Sequence, residues 1–156
     1  PDLAPLAEAV CARYTCAEAL CEVEGAEGVG AECLGEAAAV EVGGGVGAAT
    51  RYLVSRQMEL LLGSYLPFGT LTVNALGSWM LGFLSVYLLD RPEISPLVRM
   101  GLAVGFLGAF TTFSTFSYES VMLLQEGDFE RALMSIVANL VFCLGLCYLG
   151  ILSARW

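Results

Sequence analysis

The groups best suited to bind a ligand or an ion lie between Gly105 and Glu119, where hydroxyl and aromatic side chains alternate inside an apolar run. The hydroxyls belong to five residues: Thr111, Thr112, Ser114, Thr115 and Ser117. Phe113 and Phe116 are three positions apart, so a helix would place both rings on one face. Because polar atoms are costly at membrane depth unless they face protein or water, the stretch predicts a functional site. A packing seam of small hydroxylated residues explains the same spacing equally well.

The composition indicates what kind of protein holds this stretch. Of the 156 residues, 57% are hydrophobic and 15% are charged, which is typical of a membrane protein. The net charge of −9 is uneven, because residues 1–41 contribute −8 and residues 42–156 contribute −1. The chain has no Lys and no His, which excludes a basic face for nucleic acid and a zinc site built on His. Without those residues a nucleophile has no evident base, so we do not expect an enzyme.

Four membrane-spanning helices joined by short loops are predicted, in a multi-pass protein of the cell membrane. The second and fourth spans contain no charged residue, and each is long enough to cross a hydrocarbon core of about 30 Å. Turn sequences with proline or glycine separate the last three spans. The predicted spans are 37–62, 68–89, 97–124 and 132–152.

The first 36 residues do not fit this pattern. They are rich in Ala and Glu and poor in large apolar residues, and the chain begins with Pro1 rather than Met. We therefore expect residues 1–36 to be a flexible, partly helical or misassigned extension, followed by a membrane domain over residues 37–156. The glycines from Gly43 also fit a dinucleotide-binding fingerprint, but a βαβ unit would have to follow, and a membrane span follows instead.

Arginines are balanced between the two sides of the predicted bundle. Alternating the loops places Arg51, Arg56 and Arg131 on one side and Arg91, Arg99 and Arg155 on the other, with Arg13 added to the second side if the extension counts. Such a balance gives the positive-inside rule almost nothing to act on. The chain could therefore insert in both directions, which would permit an antiparallel dimer.

Three motifs resemble those of the CrcB/Fluc fluoride channels, and they occur in the family's order. The most specific runs from Gly105-Phe106-Leu107-Gly108 through Thr111-Thr112-Phe113-Ser114-Thr115-Phe116 to Glu119. Gly47-Ala48-Ala49-Thr50-Arg51-Tyr52 is similar to the family's first-helix motif, and Gly69-Thr70-Leu71-Thr72-Val73-Asn74 to its second-helix motif. The resemblance implies an all-α, dual-topology, antiparallel homodimer with four spans per subunit and a third helix broken in mid-membrane.

The resemblance also implies a fluoride pathway. Fluoride is strongly hydrated, so a pore must replace its water with hydrogen-bond donors while avoiding full positive charges that would trap it. By resemblance, Phe113 and Phe116 form aromatic boxes that the ion passes, Ser114 and Thr115 add hydroxyls, and Asn74 lines the pore with Thr70 on the same face. On the fourth helix, Ser135 and Asn139 are the candidates for a polar track. From the residues alone, Asn74 could equally make an interhelical hydrogen bond, and the two Phe rings could be ordinary core.

The remaining implied roles are structural. In the family, backbone carbonyls at the helix break hold one Na⁺ at the dimer interface, and the matching positions are Gly108 and Thr111. Gly108 would also supply the unusual backbone conformation that a break needs. Arg51 would make a cationic vestibule or a snorkelling interface anchor, and Glu119 would support the site.

Two other classes of protein remain open. A small multidrug-resistance-like transporter, coupled to protons, would need a titrating carboxylate in its first helix, which Glu41 could provide. A structural or assembly membrane protein would need none of these polar residues. The predicted function is passive export of cytoplasmic fluoride, which would lower its toxicity.

Overall fold

The computed structural model describes residues 27–89 and 91–155, so most of the predicted extension lies outside the described residues. In this part of the chain the regular secondary structure is all helical, and there is no strand. The elements are α1 (Glu27–Leu62), α2 (Phe68–Leu89), α3 (Pro96–Arg99), a π-helical segment (Met100–Phe106), α4 (Leu107–Phe110), α5 (Phe113–Gln125) and α6 (Phe129–Ser153).

Three helical stretches are long and apolar enough to cross a membrane: Phe68–Leu88, Pro96–Gln125 and Phe129–Ser153. They correspond to the second, third and fourth predicted spans. The predicted first span lies in α1, a helix of 36 residues with five charged residues after Gly35: Glu36, Glu41, Arg51, Arg56 and Glu59. Helix α1 is not among the three stretches. The helix also begins before residue 37 and runs through the predicted domain boundary.

Glycines bring α1 against the π-helical segment, backbone to backbone. A Cβ added at Gly43 would overlap the carbonyl of Gly101, and one added at Gly47 would overlap the carbonyl of Phe106. A Cβ added at Gly105 would lie 2.7 Å from the Val40 carbonyl oxygen of α1. Such contacts are typical of membrane helices, where small residues allow close approach and van der Waals packing replaces the hydrophobic effect.

The most extensive helix pair is α2 with α6. Val73 of α2 and Ala132 of α6 are completely buried. Toward the other end of the pair, a Cβ at Gly82 would meet the carbonyl of Cys147, and one at Gly150 would meet the carbonyl of Trp79. The two helices are therefore in backbone contact at two levels.

The chain reverses direction at two glycines with positive φ, Gly63 (78°) and Gly127 (79°), which follow α1 and α5. Asp128 then caps α6, accepting hydrogen bonds from the Arg131 amide at 3.2 Å and from its Nε at 2.6 Å. The hydrogen bond from the Arg131 side chain lowers the pKa of the Asp128 carboxyl. This pair fixes the start of α6 at the bundle surface.

The α2–α6 contact gives a testable expectation on one helix. Gly150→Ala should destabilise the fold by about 1–3 kcal/mol, because the new methyl group must push against the α2 backbone. Thermal unfolding of purified protein in detergent measures the effect.

Gly145→Ala is the matched control, because nothing lies within 4 Å of a Cβ at that position. It should leave the melting temperature unchanged or raise it, since alanine favours helix. Equal destabilisation by both substitutions would show that the α2–α6 packing does not depend on Gly150.

Candidate functional site

The third apolar segment contains a two-residue interruption. Helix α4 ends at Phe110 and α5 begins at Phe113, while Thr111 (φ −86°, ψ 159°) and Thr112 (φ −152°, ψ 113°) between them are extended. Both conformations are ordinary for any residue. Gly108 lies inside α4 and has no positive φ. The expectation that Gly108 supplies an unusual conformation is therefore wrong.

Asn74 of α2 satisfies the backbone of the interruption. Its Oδ1 accepts from the Thr112 amide at 2.7 Å, and its Nδ2 donates to the Thr112 carbonyl at 2.9 Å. The same Nδ2 donates to Oδ1 of Asn139 at 3.3 Å, and Asn139 Nδ2 donates to the Ser135 carbonyl at 3.1 Å. One polar chain therefore links α2, the interruption and α6.

Thr112 also starts the next helix. Its Oγ1 accepts from the Thr115 amide at 3.2 Å and donates to the Thr115 hydroxyl at 2.9 Å. The Ser114 hydroxyl lies 3.3 Å from the same oxygen. Three of the five hydroxyls seen in the sequence thus form one N-cap cluster on α5, which explains why the sequence concentrates them here.

A cavity of about 320 Å³ opens beside the interruption. The residues that line it come from α2, the π-helical segment, α4, α5 and α6, and none of them is charged. Six of the predicted site residues are among them: Asn74, Gly108, Thr111, Phe113, Phe116 and Asn139. Residues far apart in sequence therefore meet at one uncharged cavity.

The two phenylalanine rings stand side by side at the wall of this cavity. Their centroids are 5.5 Å apart and their planes are inclined by 57°. Phe116 is buried at 9% exposure, whereas Phe113 is 76% exposed. The pair therefore joins the interior of the subunit to its outer surface.

Thr70 and Glu119 form a second polar contact away from that cavity. The Thr70 hydroxyl donates to Oε1 of Glu119 at 3.0 Å, while Oε2 is buried without a hydrogen-bond partner among the described residues. Glu119 lines a second cavity of about 270 Å³ together with Glu59 and Glu126. Glu119 is the one predicted site residue that lines this acidic cavity.

Five predicted residues line neither cavity: Thr70, Ser114, Thr115, Ser135 and Arg51. Ser135 is 3% exposed, and its hydroxyl has no hydrogen-bond partner within the described part of the chain. It lies one turn from Asn139 on α6. Arg51 is half-buried on α1 and makes no ion pair with a described residue. Arg51 does not line the cavity that Phe113 and Phe116 share.

Some residues of the site were not singled out from the sequence. Thr112 was counted among the hydroxyls but was given no role of its own, although it joins Asn74 to α5. The signal was present as Thr112-x-x-Thr115, because a hydroxyl ahead of a helix commonly caps it. Gly77, Ser78 and Cys143 also line the uncharged cavity. Cys143 continues the four-residue spacing of Ser135 and Asn139, and Ser78 belongs to the small-residue pattern Ser78-x-x-x-Gly82.

Apolar helices able to cross a membrane, together with an uncharged, mostly apolar cavity at a helix interruption, define a multi-pass membrane protein with an internal site. The family model described as CrcB-like protein, Camphor Resistance (CrcB), matches residues 38–151. The chain belongs to the CrcB family.

Individual relatives have the same character. Proteins named fluoride-specific ion channel FluC from Shewanella putrefaciens and Shewanella baltica are each 49% identical to this chain over 112 residues. Each match covers 71% of this chain and 89% of the relative. The predicted family is thus confirmed.

The Asn74 contact predicts a large effect of one side chain on stability. Asn74→Leu keeps the branching and the number of heavy atoms of the side chain but leaves the Thr112 amide and carbonyl without their partner in a residue that is 7% exposed. Each unsatisfied buried group costs about 1–3 kcal/mol. Thermal unfolding in detergent should show a clear loss of stability.

Thr111→Val is the control, because the Thr111 hydroxyl bonds only to the Leu107 carbonyl within its own turn, at 3.0 Å. This substitution should change the melting temperature little. An Asn74→Leu variant as stable as the Thr111→Val variant would contradict a structural role for the Asn74 hydrogen bonds.

Proposed function

We propose that this protein is a fluoride-selective ion channel through which cytoplasmic fluoride leaves the cell passively, so that fluoride toxicity falls. The chain belongs to the CrcB family, and its relatives carry the name of fluoride-specific channels. The observation that carries the proposal is the uncharged cavity that joins Asn74, Asn139, Phe113 and Phe116 at a helix interruption. A channel function requires no enzyme chemistry.

The cavity meets the physical needs of a small, strongly hydrated anion. Its lining contains amide and hydroxyl groups but no lysine, arginine or carboxylate. Neutral donors can replace part of the hydration shell without binding the ion so tightly that it cannot leave. Ring edges of phenylalanine carry partial positive charge and can contribute in the same way.

The start of α5 adds a favourable field for an anion. The first amides of a helix have no intrahelical acceptors, and the positive end of the helix dipole lies there. In α5 the third amide, that of Thr115, is occupied by the Thr112 hydroxyl. The amides of Phe113 and Ser114 remain next to the cavity. An anion passing Phe113 would therefore meet backbone donors as well as the ring edge.

We assign the pathway residues by their distance from this point. Phe113, Phe116, Asn74 and Asn139 line the cavity itself. Ser114 and Thr115 lie at the cap just beyond it. The other assigned residues, away from the cavity, are the donors Thr70 and Ser135, the vestibule cation Arg51 and the supporting carboxylate Glu119.

Among the assigned pathway residues, Ser135 has a hydroxyl group that is available to donate a hydrogen bond. It is buried and has no acceptor among the described residues, and it lies one turn from Asn139. A buried hydroxyl without a partner is costly unless an ion or water meets it. We place it on the continuation of the pathway along α6.

Fluoride efflux from proteoliposomes tests the function. The unsubstituted protein should release fluoride rapidly and retain chloride, as read with ion-selective electrodes. Phe113→Ile should reduce fluoride release at least tenfold, because it removes a ring edge at the cavity while keeping an apolar side chain. Absence of fluoride release from correctly folded protein would refute the channel.

Glu41→Gln serves as the control and separates the channel from the rival transporter. Glu41 is exposed on α1, remote in sequence from the cavity lining. A channel should keep its fluoride release after this substitution. A proton-coupled transporter would instead lose its transport after Glu41→Gln. Its transport would not depend on Phe113.

We further propose the finer architecture implied by the family: four spans, a third helix broken in mid-membrane, and an antiparallel dual-topology homodimer. The balance of arginines between the two sides supports it. So does the open surface at the interruption, where Phe113 is 76% exposed and Gly108 has no atom within 4 Å of its Cβ position. A second copy would cover these residues and close the pathway.

The backbone at the interruption fits a structural Na⁺ held by carbonyl oxygens. In a continuous helix the Gly108 carbonyl would accept from the Thr112 amide, but that amide donates to Asn74. The Thr111 carbonyl would accept from the Thr115 amide, but that amide donates to the Thr112 hydroxyl. Neither carbonyl therefore keeps its helical donor, and within the described residues both can bind a hard cation such as Na⁺, to which we assign them.

Two measurements in detergent test the dimer and the sodium site. Light scattering gives the mass of the particle, and thermal unfolding gives its melting temperature. In NaCl the protein should have twice the 16.5 kDa mass of one chain. In choline chloride at equal ionic strength its melting temperature should fall, because a cation bound only to the folded dimer stabilises it by mass action. A monomer mass in NaCl would contradict the dimer, and equal melting temperatures would contradict the sodium site.

A further inference from the structure

Three aromatic rings and a guanidinium stack along one side of α2, outside both cavities. The centroids of Trp79 and Phe83 are 5.8 Å apart, those of Phe83 and Tyr87 are 5.4 Å apart, and both pairs are inclined by 19°. The Arg91 Cζ lies 4.4 Å from the centroid of Tyr87. We call Trp79, Phe83, Tyr87 and Arg91 the aromatic ladder.

The charged end of the ladder is reinforced by a second arginine. Arg99 donates from Nη2 to the carbonyl of Arg91 at 2.7 Å and from Nε to the carbonyl of Ile94 at 3.1 Å. Its guanidinium is thus held against the loop that carries Arg91. Stacking on Tyr87 fixes the plane of the Arg91 guanidinium, so its N–H groups are preorganised for an oxyanion that binds two of them at once.

The two ends of the bundle differ in how their arginines are used. At the opposite end Arg131 forms an ion pair with Asp128 at 2.6 Å. Neither Arg91 nor Arg99 is paired with any carboxylate that the structure describes. The same loop carries Asp90 and Glu93 in its sequence, so residues 90–99 have no net charge. The two guanidiniums nevertheless have no carboxylate partner among the described residues, and an oxyanion would complement them.

The position of the aromatic ladder indicates the chemical class of this anionic partner. Arg91 follows the membrane-crossing stretch Phe68–Leu88, so it lies at the depth of lipid headgroups, and the rings descend from it into the hydrocarbon. From Trp79 to Leu89, where α2 ends, the helix rises roughly 15 Å, half of the ~30 Å hydrocarbon core. Trp79 is 38% exposed. The arginine at this depth matches the headgroup of a phospholipid. The rings below it match one acyl chain.

We propose that the aromatic ladder is a binding site for an anionic phospholipid, whose phosphate is held by Arg91 with Arg99 and whose acyl chain lies along Tyr87, Phe83 and Trp79. The headgroup supplies the oxygens that complement the two guanidiniums. The rings offer an apolar surface with little conformational entropy to lose. The site selects anionic over zwitterionic lipid, because each arginine near the membrane surface favours negative charge.

Trp79 is itself the probe for this site. The chain has two tryptophans, so Trp156→Phe leaves Trp79 as the only indole. The full chain is reconstituted in phosphatidylcholine bilayers that contain phosphatidylglycerol, and either the one lipid or the other carries brominated acyl chains, which quench indole fluorescence on contact. Brominated phosphatidylglycerol should quench Trp79 at least about five-fold more effectively per molecule than brominated phosphatidylcholine.

Substitutions of Arg91 then test which group selects the lipid. Arg91→Gln should reduce the preference about five-fold, the effect of one cation at a membrane surface. Arg91→Lys keeps the charge and should retain most of it. Arg56→Gln removes a charge from α1, on the other side of the bundle by loop count, and should leave the preference unchanged.

Two results would overturn the proposal. Equal quenching by the two brominated lipids in the Trp156→Phe protein would show that the ladder does not select an anionic headgroup. A preference that survives Arg91→Gln would show that the selection comes from elsewhere. Arg91 is exposed, so the substitution does not open the helix core.

Discussion

The structure depends on how the backbone of an interrupted helix is satisfied inside an apolar bundle. At Thr112 the helical hydrogen bonds stop, and the carboxamide of Asn74 replaces them with one donor and one acceptor. Unpaired backbone groups at membrane depth cost several kcal/mol each, so an interruption persists only where protein supplies partners. Asn74 stabilises the interruption by hydrogen-bonding it to α2. The other contacts of the site form around this joint.

Two consequences follow from the joint. Because Asn74 takes the Thr112 amide, the Gly108 carbonyl loses its usual donor, and because Thr112 caps α5, the Thr111 carbonyl loses its own. The same contacts place the start of α5, with its free amides, beside an uncharged cavity. Acceptors for a cation and donors for an anion thus arise on opposite sides of one two-residue break. A channel that needs both can obtain them from backbone groups without any charged side chain.

Much of the fold could be predicted from the sequence. The 22 uncharged residues of α2 were predicted with the bounds that the structure has, since the proline before them and the polar turn after them mark both ends. The start of α1 was not predicted, because helix propensity continues through the weakly hydrophobic residues before Gly43. The π-helical segment was also missed. It packs against α1 through close glycine contacts, which no periodicity within the segment encodes.

By itself the sequence determined the class of protein, the apolar spans and the polar residues that a bilayer would not tolerate without a purpose. These are properties of composition and local spacing. Only the tertiary structure decided which polar residues meet. In the folded chain, Ser114 and Thr115 lie at the cap of α5. Thr70 is hydrogen-bonded to Glu119, and Thr112 to Asn74. A hydrogen bond depends on distance and direction between atoms, and positions 38 residues apart acquire both only when the helices pack.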